Sequence, residues 1–154
     1  MTVFCDTSVL VAAALQAHVH HRSAKAVLDR IRRGHDTGHA SAHALAETFS
    51  VLSRMPTKPK LEPADVLAIL EQDFIPHFAF VALQPEDYPA AIRDLVALGL
   101  GGGRIYDLLH LRVASKLALD RIYTLNESEW RTLAPGLAGT ICAPPVPAAT
   151  PPSS

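Results

Sequence analysis

The sequence predicts an α/β fold, a three-layer α/β/α sandwich around a central parallel sheet of four to five strands. Short runs of β-branched and aromatic residues alternate along the chain with longer segments of helical periodicity. Glycines and prolines separate many of these segments. Strands that alternate with helices favour right-handed βαβ units, in which helices cover both faces of a parallel sheet.

The first half is predicted to hold, in order, a strand at 2–5, helices at 9–17 and 20–33, a strand at 38–41 and a helix at 42–54. The first strand is an apolar run that polar turn-forming residues follow at once, and Thr7 or Ser8 can cap the helix after it. The second and third helices show apolar residues at spacings of three and four. On the third helix, the apolar face is formed by Leu45, Phe49 and Leu52.

The second half is predicted to hold a helix from Pro63 that ends before Pro76, a strand at 78–83, helices at 85–98 and 105–119, a strand at 121–125, a helix at 127–133 and an apolar strand at 140–141. Proline suits a first helical turn, and the glycines of 99–103 indicate a flexible loop. From Ala143 the composition turns to Pro, Ala, Thr and Ser, which bury too little apolar surface to offset chain entropy. We expect one domain at 1–142 and a mobile tail at 143–154.

Composition excludes several classes of protein. With 154 residues, of which 49% are hydrophobic and 19% charged, the chain suits one globular domain. It lacks an apolar run near the ~18 residues of a membrane span, and its start lacks the features of a secretory signal, so a cytoplasmic location without membrane contact is expected. Cys5 in a predicted buried strand and Cys142 near the tail do not suggest a disulfide framework.

Charge is nearly balanced, with 14 Lys and Arg against 15 Asp and Glu. Any nucleic-acid contact must therefore be local, because the whole chain lacks a basic excess. The candidate basic positions are Arg30, Arg32, Arg33, Arg54, Lys58, Lys60, Arg104, Arg112 and Lys116. Most of these are expected to be ordinary surface charges.

Three carboxylates are notable for their positions. Asp6 follows the first strand, and ligands of open parallel sheets bind beyond the carboxyl ends of the strands, although an Asp there can simply cap the next helix. Asp107 lies in the first turn of a helix that is apolar almost all round, so we expect a cation beside it, with Arg104 or Arg112 as the structural alternative. Glu47 points away from the apolar face of its helix, which also suits an ordinary surface residue.

Together these acids supply hard oxygen ligands, without the Cys or HExxH patterns of zinc sites. Mg²⁺ or Mn²⁺ is therefore the predicted cofactor. Such ions neutralise phosphate charge and lower the pKa of a bound water, which is the chemistry that phosphodiester hydrolysis needs.

Three segments resemble the PIN-domain nucleases, and within them the toxins of bacterial VapBC-type toxin-antitoxin pairs. The segments are VFCDTSVLVAA, SAHALAETFSVLSRMP and GGRIYDLLHLRVASKLALDRIYTLNESEW. Their order and spacing over about residues 2–135 are more specific than any one segment. The resemblance implies a PIN-like fold, metal-dependent cleavage of RNA by an endoribonuclease, a small antitoxin that covers the site, and often a homodimer.

The resemblance also implies that the acidic metal ligands are Asp6, Glu47 and Asp107. Ser8 is implied to assist, as the polar residue two positions after the first Asp. A fourth acid commonly follows the last strand after a Thr, and this chain has Asn126 there. An amide oxygen can ligate a metal or orient a water but adds no charge, so a second metal is expected to bind weakly unless Glu127 or Glu129 substitutes.

Other interpretations compete with this one. A phosphatase of the haloacid dehalogenase type needs a second Asp where this chain has Ser8, and a dinucleotide-binding GxGxxG loop fails at Arg104. The chain has eight histidines, but those at 18, 20 and 21 or at 35, 39 and 43 match no known metal-ligand spacing. A PIN fold that binds RNA or a protein without cutting stays open, and Asn126 is its main support.

Overall fold

A computed structural model of the chain, which describes residues 1–148, contains one sheet of five parallel strands. In chain order the strands are β1 (Thr2–Cys5), β2 (Thr37–Ser41), β3 (Phe78–Val81), β4 (Arg121–Tyr123) and β5 (Ile141–Cys142). Their order in the sheet is β3-β2-β1-β4-β5, and Val3 of β1 pairs with Gly38 on one side and Arg121 on the other. The predicted fold class is confirmed.

Helices cover both faces of the sheet. They are α1 (Thr7–Ala14), α2 (His21–Arg32), α3 (Ala42–Arg54), α4 (Pro63–Ile69), α5 (Asp87–Ala97), α6 (Arg104–Ala114) and α7 (Glu127–Leu133). A π-helical turn (Leu70–Phe74) extends α4, and a 3-10 turn (Pro135–Leu137) precedes β5. Helix α6 ends earlier than predicted. After Ala114 the backbone hydrogen bonds join residues three apart, from the Lys116 N–H to the Val113 carbonyl and from the Leu117 N–H to the Ala114 carbonyl, and the Ser115 hydroxyl donates to the Arg112 carbonyl.

Alternating strand residues build two separate cores. Val3 and Cys5 pack with α1, α2, α3 and α4 on one face, whereas Phe4 packs with α5, α6 and α7 on the other. This alternation follows from the pleat of a strand, in which successive side chains point to opposite faces. Cys5 is buried and Cys142 half-buried, and both are free thiols, as predicted.

The predicted N-cap of α1 was wrong. Asp6, and not Thr7 or Ser8, caps α1, since its Oδ1 accepts the Val9 N–H at 3.0 Å. A carboxylate directly before the helix can accept hydrogen bonds from the free N–H groups of the first turn, and the helix dipole also stabilises its charge.

The buried face of α3 also differs from the prediction. It consists of Ala44, Thr48 and Leu52, while Phe49 is 36% exposed. Helix α3 packs against α1, and the small side chains of Ala44 and Thr48 permit that close approach.

Close packing of α2 on the sheet depends on Gly38 in β2. A Cβ at this position would lie 2.8 Å from Cγ2 of Ile31 and 3.1 Å from Cδ1 of Phe78. A larger residue would therefore push α2 or β3 away from the strand.

The chain after β5 has no regular secondary structure as far as residue 148. Residues 143–148 form irregular structure in which Pro144 is buried. Mobility of the tail stays a prediction, and its last part, 149–154, lies outside the described residues. Within residues 1–148, no helix has the length and apolarity to cross a membrane.

The strand order reverses at β1. From β1 the chain builds outward through β2 and β3, and it then crosses to β4 on the other side of β1. Such a reversal opens a crevice beyond the carboxyl ends of the two strands at the switch. Asp6 follows β1 and Thr124 follows β4, so both lie at this crevice.

Candidate metal-binding active site

Asp6 is the most tightly held acid of the crevice, with 4% of its surface exposed. Its Oδ1 accepts hydrogen bonds from the Ser8 hydroxyl at 2.6 Å and from the Val9 N–H at 3.0 Å, and its Oδ2 accepts from the Thr124 hydroxyl at 2.7 Å. Burial raises the pKa of Asp6, although these hydrogen bonds favour the charged form. Asp6 thus caps α1 and faces the crevice at the same time.

Ser8 and Thr124 join the two loops that flank the crevice. The Ser8 oxygen also accepts the Leu125 N–H at 3.0 Å, and the Thr124 oxygen accepts the Asn126 N–H at 3.0 Å. Ser8, predicted to assist the site, therefore holds both Asp6 and the segment after β4 in place.

Glu47 lies on α3, with 35% of its side chain exposed. Its Oε2 accepts hydrogen bonds from Nε2 of His110 at 2.9 Å and from the Thr7 hydroxyl at 3.0 Å. The hydrogen bond from His110 is the main cause of a lowered Glu47 pKa. Glu47 is therefore not an ordinary surface glutamate.

Asp107 lies half-buried in the first turn of α6, and neither Arg104 nor Arg112, the structural alternative to another cation at this position, pairs with it. Arg104 pairs instead with Glu129 at 2.6 Å, and Arg112 pairs with carboxylates of α5. The contact that Asp107 does receive is a hydrogen bond from Nε1 of Trp130 to its Oδ1, at 3.1 Å. Burial raises the pKa of Asp107, and the nearby charge of Glu129 raises it further.

The three predicted acids lie around His110. Asp6 comes from the end of β1, Glu47 from α3 and Asp107 from α6, and His110 lies near enough to influence the pKa of all three. The charge of Glu47 also raises the pKa of Asp107. Repulsion between uncompensated carboxylates in a partly desolvated site is the condition that a bound cation relieves.

Glu47 and Asp107 each keep one oxygen for a ligand. Hydrogen bonds fall on Oε2 of Glu47 and on Oδ1 of Asp107, while the other oxygen of each has no hydrogen-bond partner among residues 1–148. Solvent reaches these two oxygens, because the fully buried side-chain N and O atoms without a hydrogen-bond partner in residues 1–148 are Nδ1 of His39 and Oγ1 of Thr48. Both are therefore available to an incoming cation or water.

The donor set fits a hydrated divalent cation. In the described part of the chain, no three His, Cys, Asp or Glu side chains stand close enough to enclose a metal ion together. Mg²⁺ in phosphoryl-transfer sites usually keeps several waters and takes only one or two carboxylates, with substrate phosphates as further ligands. The oxygens of Glu47 and Asp107 that lack hydrogen-bond partners could supply two such carboxylate ligands.

Asn126 occupies the place of the commonly acidic fourth residue. Its Nδ2 donates to Oε2 of Glu129 at 3.0 Å, and Arg104 binds the other Glu129 oxygen. The two suggested substitutes differ, because Glu129 lies near Asp107 whereas Glu127 pairs with Arg131 at 2.8 Å.

Sequence reasoning missed three residues of the site, namely Thr124, His110 and Trp130. Thr124 and Trp130 are fully buried, and His110 is 2% exposed. One signal was present: His110 stands three residues after Asp107 and so shares its side of the helix.

Five of the nine predicted basic positions form ion pairs and are ordinary structural charges. They are Arg30, Arg32, Arg104, Arg112 and Lys116. The other four, which have no ion pair among residues 1–148, are Arg33, Arg54, Lys58 and Lys60.

The fold is that of a PIN domain, and the PIN domain family model matches residues 3–134. The chain belongs to this family. It is similar to ribonuclease VapC40 of Mycobacterium tuberculosis (strain CDC 1551 / Oshkosh), with 36% identity over 104 residues, or 68% of this chain and 72% of that protein. It is also similar to ribonuclease VapC27 of M. tuberculosis (strain ATCC 25618 / H37Rv), with 32% identity over 104 residues, or 68% and 70% of the two chains.

A solved structure supports the same fold. The crystal structure of M. tuberculosis VapC20, described as a sarcin-ricin loop cleaving toxin, aligns with a TM-score of 0.66 at 19% identity. The alignment covers 93% of this chain and 99% of that chain. The resemblance to VapC-type PIN-domain toxins is therefore confirmed.

Proposed function

We propose that this PIN-domain protein is the endoribonuclease toxin of a toxin-antitoxin pair and cleaves RNA at the crevice that holds Asp6, Glu47 and Asp107. The relatives that carry the name ribonuclease support the activity. One observation carries the choice of site: three carboxylates from three elements share the crevice, and two of them keep an oxygen for a ligand.

The cofactor of this reaction would be Mg²⁺ or Mn²⁺, with ligands drawn from Asp6, Glu47 and Asp107 and completed by water molecules and substrate phosphates. When bound, such an ion neutralises phosphate charge and lowers the pKa of a coordinated water. The raised pKa values of Asp6 and Asp107 support this proposal, because a cation stabilises the ionised forms that burial disfavours. Asn126 supplies an uncharged amide oxygen, which favours one firmly held ion over two.

The protein's own groups orient the reaction. Ser8 and Thr124 fix both Asp6 oxygens, so this carboxylate reaches the transition state without reorganising. Trp130 fixes Asp107 through one oxygen only. The Asn126 amide oxygen, which makes no hydrogen bond within residues 1–148, is available to a water or to RNA.

Asp6→Asn and Asp107→Asn are each expected to lower cleavage of single-stranded RNA by roughly 10²-fold or more, because each loses a charge that stabilises the metal-bound transition state. The wild-type protein should cut RNA with Mg²⁺ or Mn²⁺, stop in EDTA and recover when metal is restored. Gel-resolved cleavage of a labelled RNA measures this.

The matched control is Asp29→Asn, which removes a carboxylate of α2 that pairs with Lys25 away from the crevice. This variant should retain wild-type cleavage. Full activity in Asp6→Asn or Asp107→Asn would overturn the assignment of the site.

A catalytically quiet PIN fold that binds RNA or a protein is the second candidate, and Asn126 in place of an acid favours it. RNA that is retained in a gel-shift assay yet stays intact with metal and antitoxin-free protein would support this candidate. Cleavage by the same preparation would exclude it.

The proposed partners are RNA, a small cognate antitoxin and a second copy of the chain, without membrane contact. Exposed apolar residues on α5 support a protein partner, since Tyr88, Ile92 and Val96 recur at every fourth position on its outer side. RNA and an antitoxin are both encountered in the cytoplasm, which is the location we propose. Light scattering of the purified chain, alone and with the product of a small adjacent reading frame, tests both protein contacts.

A further inference from the structure

His110 is a buried histidine in contact with two elements of the site. Helix α6 carries it one turn after Asp107, and its ring is 2% exposed. Nε2 lies 2.9 Å from Oε2 of Glu47, and Nδ1 lies 2.6 Å from Oγ of Ser41. Ser41 caps α3, the helix that carries Glu47, by accepting the Ala44 N–H. His110 therefore connects α6, the helix of Asp107, to the start and the middle of α3, the helix of Glu47.

The hydrogen-bond pattern assigns a role to each ring nitrogen. An ionised carboxylate only accepts, so Nε2 carries the hydrogen that is donated to Glu47. The Ser41 oxygen already accepts the Ala44 N–H and can donate its own hydrogen to Nδ1. Both ring nitrogens are thus occupied, which leaves neither as a metal ligand.

Trp130 extends this arrangement to Asp107. Its indole stacks on the His110 ring, with centroids 6.2 Å apart and an interplanar angle of 16°. The same indole donates its N–H to Oδ1 of Asp107. One buried unit of two rings therefore contacts both Glu47 and Asp107.

We propose that His110 is a positioning residue that holds Glu47 by Oε2, and so aims Oε1 at the divalent cation shared with Asp107. This inference rests on the proposed metal-dependent function. Hydrogen bonds to metal-binding carboxylates restrict their rotation, and loss of such a partner typically costs about 10–100-fold in metal affinity or activity. His110 contacts Glu47 and not the reacting groups, so it acts through that carboxylate.

Three substitutions separate the two hydrogen bonds of the ring. His110→Gln can place an amide N–H near the position of Nε2 and keep the bond to Glu47. His110→Asn is shorter and keeps a polar group near Ser41 but does not reach Glu47. His110→Leu removes both bonds while it fills much of the volume. His35→Leu, at an exposed position, is the matched control.

The measurements are Mn²⁺ affinity by isothermal titration calorimetry, kcat and KM for RNA cleavage, and the free energy of unfolding in urea. We expect His110→Leu and His110→Asn to bind Mn²⁺ about 10–100-fold more weakly and to lose kcat, with KM for RNA little changed. His110→Gln should stay within about 3-fold of the wild-type affinity. If His110→Leu does not fold, His110→Asn against His110→Gln still tests the contact with Glu47.

The outcomes are distinguishable. Wild-type Mn²⁺ affinity in folded His110→Asn, with only the unfolding free energy lowered, would overturn the positioning role and leave the nuclease proposal intact. Mn²⁺ binding without RNA cleavage by the wild-type protein would overturn the nuclease proposal, while the affinities still report on His110. Absence of Mn²⁺ binding by the wild-type protein would overturn both.

Discussion

Thr124 shows how a single hydroxyl supports the acidic crevice. It is fully buried, donates to Oδ2 of Asp6 and accepts the N–H of Asn126. Its one side-chain oxygen therefore fixes the carboxylate that follows β1 and the backbone after β4. A buried polar group in such a position is costly to leave without its partner.

Thr124→Val is expected to lower the free energy of unfolding by about 1–3 kcal/mol. Valine has nearly the same shape, so the change leaves Oδ2 of Asp6 and the Asn126 N–H without their partner and opens no cavity. Urea denaturation measures the loss.

The control is Thr132→Val, because Thr132 is exposed and its hydroxyl bonds to the carbonyl of Ser128 within α7. A surface substitution of this kind is expected to change the unfolding free energy by less than about 0.5 kcal/mol. Equal losses in the two variants would contradict the importance of the buried contact.

At the residue scale, sequence reasoning identified acids more readily than their partners. Asp107 was recognisable because a charge in an apolar helix is unusual. The alternative of an ion pair with Arg104 or Arg112 does not hold, because these are long side chains whose direction depends on Glu129 and on α5. These contacts come from segments distant in sequence, and periodicity carries no information about them.

At the element scale, periodicity predicted each helix and strand but not every face. The predicted apolar face of α3 included Phe49 because this side chain is strongly hydrophobic, whereas the fold buries Ala44 and Thr48. Small residues lie at the interface because helices approach closely there, and the approach of α1 to α3 is a tertiary property. The strand at Thr37–Ser41 was likewise predictable, but the contact made by Gly38 was not.

Gly38→Val is expected to lower the free energy of unfolding by about 1–3 kcal/mol, because an added side chain overlaps Ile31 and Phe78. Those neighbours belong to α2 and β3, so the substitution separates two packed elements. Thermal or urea unfolding followed by circular dichroism measures the effect.

Gly101→Val is the matched control, since a Cβ at Gly101 meets no atom within 4 Å and this glycine does not have a positive φ. It should leave the unfolding free energy nearly unchanged. A Gly38→Val protein as stable as Gly101→Val would show that α2 adjusts without cost.

At the scale of the whole molecule, two pairs of carboxylates make the free energy of unfolding depend on pH in opposite directions. Hydrogen bonds from Arg30 and Lys116 hold the pKa values of Asp36 and Asp87 at about 2, below the ordinary 3.8. Burial raises the pKa values of Asp6 and Asp107. The first pair stabilises the fold above its ordinary pKa, whereas the second pair contributes most at low pH and loses that contribution as pH rises.

We expect the metal-free wild-type protein to lose stability between about pH 4 and pH 2, as Asp36 and Asp87 become protonated. In an Asp36→Asn/Asp87→Asn double variant, Tm should be lower at neutral pH and should fall less steeply over the same interval. Calorimetry in EDTA at several pH values tests this. Parallel curves for the two proteins would contradict the role of these two residues.

The topology of the sheet was predictable as a class, but the strand order was not. Alternation of strands and helices predicts parallel pairing with right-handed connections. It does not say that the chain returns past β1 to form β4, and this return is what brings Thr124 beside Asp6.

The crevice draws one acid from each layer of the sandwich: Asp6 from the sheet, Glu47 from the helices on one face and Asp107 from those on the other. Alignment of the three carboxylates thus depends on the thickness of both hydrophobic interfaces. A displacement of about 1 Å can cost 10²-fold in rate. The rate of RNA cleavage by this protein therefore depends on the spacing between the layers. It should fall in variants with distant core substitutions that leave the melting temperature almost unchanged.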